Sequence, residues 1–108
     1  MTYQEVVTML RQTGLEVTYY QWENDAPSLP YLVFYYPYSD NAFADDSVFQ
    51  RVDRLNVELY TKRKSMTDEE NLEAVLDDWN MTWQKSETYL DSEEMYEVLY
   101  EMEIIVNG

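Results

Sequence analysis

Residues 95–106 alternate without a break. Tyr96, Val98, Tyr100, Met102, Ile104 and Val106 fall on one side, and Glu97, Leu99, Glu101, Glu103 and Ile105 on the other. A period of two is the signature of a strand with one face buried and one face wet. The chain around it must therefore supply further strands to pair with it and a layer to cover its apolar side.

The rest of the sequence provides both. Residues 2–13 read as a helix. Thr2 and Glu5 have capping-box spacing, and Tyr3, Val6, Val7 and Leu10 form one stripe, with Gly14 placed to end it. Leu15–Trp22 is a strand candidate. Asn24–Pro30 is a turn region, and Tyr31–Tyr36, the run YLVFYY, reads as a central strand buried on both faces. Residues 38–47 read as a polar loop. A long strand over about 48–62 turns Leu55, Val57 and Leu59 one way and Arg54, Asn56, Glu58 and Tyr60 the other. Together 31–36 and 48–62 make a hairpin with a projecting tip. Thr67 and Glu70 suggest a second capping box, opening a helix to about Asn80 with Leu72, Val75, Leu76 and Trp79 inward. Asp68, Glu69 and Glu70 fall in its first turn, where the helix dipole favours acids. A strand over 81–90 and a turn at Asp91–Glu94 lead into the last strand.

The expected fold is α+β: one domain over 1–108, order α-β-β-β-α-β-β. It has a single mostly antiparallel sheet, two helices on one face and a projecting β-hairpin. The core is expected at Val6, Leu10, Val33, Leu55, Val57, Leu72, Val75 and Trp79.

Composition narrows the chemistry. The chain has neither cysteine nor histidine, which removes the thiol nucleophile, the thiolate metal ligand and the usual neutral-pH base. A calcium loop at Asp40–Asp46 fails, because the positions that should hold Gly and Glu hold Asp45 and Arg51. No enzyme activity, cofactor or metal is expected. No apolar run is long enough for a membrane helix, and the first residues lack a signal-peptide pattern, so no membrane partner is expected and a cytoplasmic location is.

The formal net charge is −15, which opposes direct nucleic-acid binding. Charge is also divided along the chain. Residues 51–64 carry Arg51, Arg54, Lys62, Arg63 and Lys64 against Asp53 and Glu58, whereas residues 65–108 carry thirteen acids against Lys85 alone. A split of this kind favours contacts between copies. Tyr38, Phe43 and Phe49, on the hairpin, are candidate anchors for a neighbour. Glu97, Glu101 and Glu103, roughly 6.6–6.8 Å apart where they alternate, are a candidate acidic wall or partner face.

The helix start, the segment TGLEVTYYQWENDAPSLPYLVFYYP, the loop SDNAFADDSVFQRVDRLNVELYTKRK, the helix TDEENLEAVLDDW and the ending SETYLDSEEMYEVLYEMEIIV resemble the small tail-completion or tail-terminator proteins of long-tailed phages and prophages of Gram-positive bacteria. The resemblance implies a virion structural protein without catalysis. It would form a ring, typically a hexamer, at the head-proximal end of the tail, end tail-tube growth and join tail to head. Its partners would be copies of itself, the tail-tube protein and head connector proteins. Its location would be the virion tail, after assembly in the bacterial cytoplasm. Two other readings stand beside it: an acidic DNA-mimic inhibitor of a host DNA-binding enzyme, and a head-side connector subunit.

Overall fold

A computed structural model describes residues 1–107. The first helix, α1 (Tyr3–Arg11), opens with the expected capping box: the Thr2 hydroxyl accepts from the Glu5 amide and the Glu5 carboxylate accepts from the Thr2 amide. The chain leaves α1 through Gly14, at φ +79°, a left-handed position that L side chains avoid. Seven strands and a second helix follow: β1 (Glu16–Tyr19), β2 (Tyr31–Tyr35), β3 (Ala42–Ala44), β4 (Ser47–Gln50), β5 (Val52–Thr61), α2 (Met66–Asp78), β6 (Trp83–Leu90) and β7 (Met95–Ile105).

The main sheet has the order β1-β2-β5-β7-β6. All pairings are antiparallel except β1–β2, which is parallel. The segment between those two strands has to return along the length of the strands, where an antiparallel pair would have needed only a tight turn. The long strands β5 and β7 pair over their full lengths, Val52 with Ile105 through to Thr61 with Tyr96. The central position belongs to β5, not to the run YLVFYY. Four residues of that run are nonetheless buried, Tyr31 and Val33 on one face and Leu32 and Phe34 on the other.

Both helices cover the same face. Val6, Met9 and Leu10 of α1 and Leu72, Val75 and Leu76 of α2 close over Leu32, Phe34, Leu55, Val57, Leu59, Val98, Tyr100, Met102 and Ile104. Trp79 packs half-buried at the margin of this core. Val33 departs from the expected core. Alternation turns it to the opposite face, where it is buried beside its cross-strand partner Glu58.

Local chemistry corrects two further readings. Helix α2 is capped by Ser65, whose hydroxyl accepts from the Asp68 amide, so the cap lies two residues before Thr67. The strand expected over 48–62 breaks at Arg51, and part of the expected loop 38–47 is strand. β3 and β4 form a separate two-stranded sheet whose turn residues, Asp45 and Asp46, have φ of 51° and 62°. Two consecutive left-handed residues fit a two-residue hairpin turn, and Asp is one of the few side chains that tolerate the conformation. This hairpin is the projecting arm. It contributes to a molecule measuring 50 × 27 × 24 Å with a radius of gyration of 14.9 Å, against about 13 Å for a compact chain of this length.

Candidate interaction surfaces

The arm is set at the end of β5 by backbone bonds. The Arg54 amide donates to the Tyr38 carbonyl and the Asp40 amide to the Val52 carbonyl, which carries the chain outward from the sheet. Beyond them Phe43 lies opposite Val48, and Phe49 is the extra residue of a bulge between the Phe43–Val48 and Ala42–Gln50 pairs. Phe43 and Phe49 are 69% and 68% exposed, and Tyr38 and Val48 are exposed beside them. A two-stranded sheet has no second layer to receive such side chains. Three of the expected anchors, Tyr38, Phe43 and Phe49, are thus brought together on one protrusion.

The basic segment is divided. Arg51 reaches the Tyr3 hydroxyl at 3.4 Å, and that hydroxyl donates to Asp53 at 2.6 Å. Arg54 lies 3.3 Å from Glu103 and 4.0 Å from Glu101, so two of the three expected wall acids share one cation within the molecule and keep a net negative charge between them. Lys64 turns to the helix-covered side and contacts Glu69 at 2.7 Å and Glu87 at 2.6 Å. Lys62 and Arg63 stay exposed and form no ion pair among the described residues.

Glu69 was expected as a helix-capping acid. It is instead 1% exposed, held by Lys64 on one oxygen and by Lys85 at 3.1 Å on the other. Burial pushes its carboxyl up, but hydrogen bonds from the two lysines outweigh this and hold it below the usual carboxylate range. Lys85 also meets Glu73 at 2.7 Å, and the Tyr100 hydroxyl donates to Glu73 at 2.7 Å. The network staples α2 to β6 and β7. In the sequence, alternation over 81–90 sets Trp83, Lys85, Glu87 and Tyr89 on one face; in the structure the Lys85 side of β6 is the one that meets α2.

The helix-free face is different. Glu58 is buried there and accepts from the Tyr60 hydroxyl. Glu97 is close enough that burial, followed by the charge of Glu58 and a hydrogen bond to it, raises its pKa to about 7. The third wall acid is therefore half of a carboxyl pair. A cleft of about 470 Å³ wraps the ends of β1 and β2, lined by Tyr20, Tyr35 and Glu58 from the open face and by Tyr19, Tyr36 and Pro37, of which Tyr19 and Tyr36 pack with Phe34 on the helix-covered side. The Tyr20 and Tyr35 rings are 6.1 Å apart and the Tyr19 and Tyr36 rings 5.9 Å. Tyr19 and Tyr20 are 52% and 65% exposed, although β-strand tyrosines are as readily packed as presented. The sequence does not reveal this cleft, because it forms where the ends of β1 and β2 meet beside Glu58 of β5, and that meeting depends on the parallel pairing of β1 with β2. Among the described residues no group of three or more acids is placed to hold a metal ion, and no helix is long and apolar enough to cross a membrane.

No protein-family model and no curated protein sequence matches the chain. Its fold does match. A chain in a solved structure of the virion of the native gene transfer agent (GTA) particle superposes with a TM-score of 0.65 at 12% sequence identity, over 98% of this chain and 91% of that one. At that identity the likeness is one of fold: the two chains share an α+β architecture from end to end.

Proposed function

We propose that this chain is a structural subunit of a phage-type virion. It forms a ring, most simply a hexamer, at the head-proximal end of the tail, where it ends tail-tube growth and joins tail to head. The observation that carries this reading is the fold shared with a chain of the GTA virion over 98% of the length. The surface supports it. A ring needs two different patches that meet, and this molecule has an arm bearing Tyr38, Phe43 and Phe49 at one end and the free cations Lys62 and Arg63 at the other. Exposed ion pairs contribute only about 0–1 kcal/mol each. In this reading the arm aromatics supply most of the affinity, and charge sets register and rate. A net charge of −15 lets DNA pass a lumen without gripping it.

The test is electron microscopy of the purified chain alone and with tail-tube protein. Rings, or tubes capped at one end, are expected. Tubes that grow uncapped at saturating chain, together with recovery of a DNA-binding enzyme from host lysate, would move the assignment to the DNA-mimic class. Binding to the head connector without any capping of tubes would move it to the head side.

A further inference from the structure

We propose that the arm of one copy docks into an aromatic groove at the far end of the next copy's open face, with its Asp45–Asp46 tip against Lys62 and Arg63. The proposal rests on the ring reading for its partner and deepens it by naming the surface that receives the arm. The groove, of about 260 Å³, is lined by Tyr31, Tyr60, Trp22, Leu90, Met95 and Glu93 among others. The Tyr31 and Tyr60 rings are 5.4 Å apart and Trp22 meets Tyr31 edge-on at 5.5 Å, so the three make one continuous aromatic surface. Register sets Tyr31 opposite Tyr60 and Leu90 opposite Met95, all on the face that carries Glu58 and Glu97. That face has no helix over it. The groove is smaller than the roughly 300–1,000 Å³ of a small-molecule pocket, which suits a side chain protruding from a macromolecule better than a free ligand. In its wall the Trp22 indole N–H has no hydrogen-bond partner among the described residues.

Two observations select the arm of a second copy as the occupant. The first is charge. Residues 38–50 carry Asp40, Asp45 and Asp46 and no basic side chain. Lys62 and Arg63 directly follow the end of β5 that holds Tyr60, and both are exposed without an ion pair among the described residues. On a chain of net charge −15 they are a place where an acidic arm is attracted rather than repelled. The second is reach. Val52, where the arm leaves β5, and Tyr60 lie at opposite ends of that strand, about 27 Å apart at the usual rise. Strands β3 and β4 span three and four residues, or about 10–14 Å, and backbone bonds at Tyr38 and Asp40 tie their base to β5. The arm cannot reach its own groove. Arm and groove are therefore different patches at opposite ends of the molecule, which is the requirement for a head-to-tail contact.

Two variants that each offer one half of the contact isolate it from assembly. Phe43→Ala with Phe49→Ala blunts the arm and leaves the groove, and Lys62→Glu with Arg63→Glu leaves the arm and reverses the charge beside the groove. All four side chains are exposed. The blunted chain, isotope-labelled, is titrated with the charge-reversed chain and followed by NMR of its indole N–H groups. Trp79 and Trp83 donate to Gln12 and Asp77, so a saturable shift of Trp22 alone is expected, and none when the titrant is blunted as well. No shift of Trp22, or equal shifts from both titrants, would overturn the docking whatever the chain assembles into. In the otherwise unaltered chain, Asp45→Asn with Asp46→Asn removes the tip charges with a side chain that tolerates the left-handed backbone, and Lys62→Ala with Arg63→Ala removes their partners. Each pair should raise the concentration at half-assembly about threefold to tenfold at low salt and less at high salt. All four changes together should do no worse than either pair. Rings that form at the unaltered concentration in every variant would end the docking and leave the ring reading standing. A Trp22 shift in a chain that never forms rings would keep the docking and end the ring.

Discussion

In the body of this molecule, the alternation of a strand decides where a large side chain goes. Leu55, Val57, Leu59, Val98, Tyr100 and Met102 all turn toward the helices, and each is at most 2% exposed. In the arm the same alternation, with side chains as large, leaves Phe43 and Phe49 more than two-thirds exposed. The strands are not chemically different; what differs is the second layer. α1 and α2 roof the five-stranded sheet, and no element among the described residues roofs β3 and β4. Burial in the body is thus a property of the single chain, whereas no described element of the chain covers the arm, and any burial of it would come from another molecule. That contrast separates what holds the fold together from what the fold offers to a partner.

The contrast should be sharpest for a core leucine. Leu72 is fully buried on the inward side of α2, so Leu72→Ala should cost about 2–5 kcal/mol, read as a fall in the urea midpoint at constant slope. A cost below about 1 kcal/mol would mean the roof is not packed as described. Next comes Glu69, the buried acid that ties α2 to the sheet. Glu69→Ala strands Lys64 and Lys85 over an emptied site. Because both lysines can turn to water, the expected loss is about 1–3 kcal/mol, below the range for a fully buried pair. Replacing the exposed Glu70 by Ala should cost within about 0.5 kcal/mol.

The two sheet faces also respond oppositely to pH. Glu97 on the open face has a folded pKa of about 7, raised from the unfolded value. Its contribution is therefore fully present below the unfolded pKa and is lost as pH rises through about 7. Glu69 is held low, and its contribution is lost only as pH falls through that depressed value. Between pH 5 and 8 the chain should lose stability with rising pH, and Glu97→Gln should flatten that slope while Glu69 variants leave it in place. A slope unchanged in Glu97→Gln would assign it to general repulsion among the acids. The smallest stability effect belongs to the arm. Phe43→Ala with Phe49→Ala should shift the unfolding free energy by no more than about 0.5 kcal/mol. A larger loss would show that the arm packs on its own body.

Most of the body was legible in the sequence, because its signals are local. The Thr2–Glu5 box and the alternation of β7 each name one structure and each forms as read; the stripe of α1 forms in part, with Val6 and Leu10 buried as expected, Met9 buried beside them and Tyr3 turned out to meet Asp53. What escaped depends on contacts between distant segments. Ser65 outcompetes Thr67 as the cap because the chain turns from β5 into α2 at that residue. Glu69 reads as a surface acid until Lys64 and Lys85 arrive from two other elements. β3 was hidden because an Asp-Asp turn is a weaker hairpin signal than Asn-Gly. The interaction surface was legible in half. Phe43 and Phe49 were visible as aromatics without a core, but the tyrosine cleft exists only once β1 and β2 lie parallel. Arg54 and Glu103 look like opposite poles in sequence and neutralise each other across β5 and β7.

The central claim is that the arm's exposed aromatics are the part of this molecule that a neighbouring copy buries. The most direct measurement is to polymerise tail-tube protein with the unaltered chain or with the Phe43→Ala, Phe49→Ala chain and score tube lengths and capped ends by electron microscopy. The account predicts short tubes with a ring at one end for the unaltered chain, and long uncapped tubes for the variant at the same concentration and undiminished stability. Equal capping by both chains would contradict it, and would place closure of the ring on the helices or on β7.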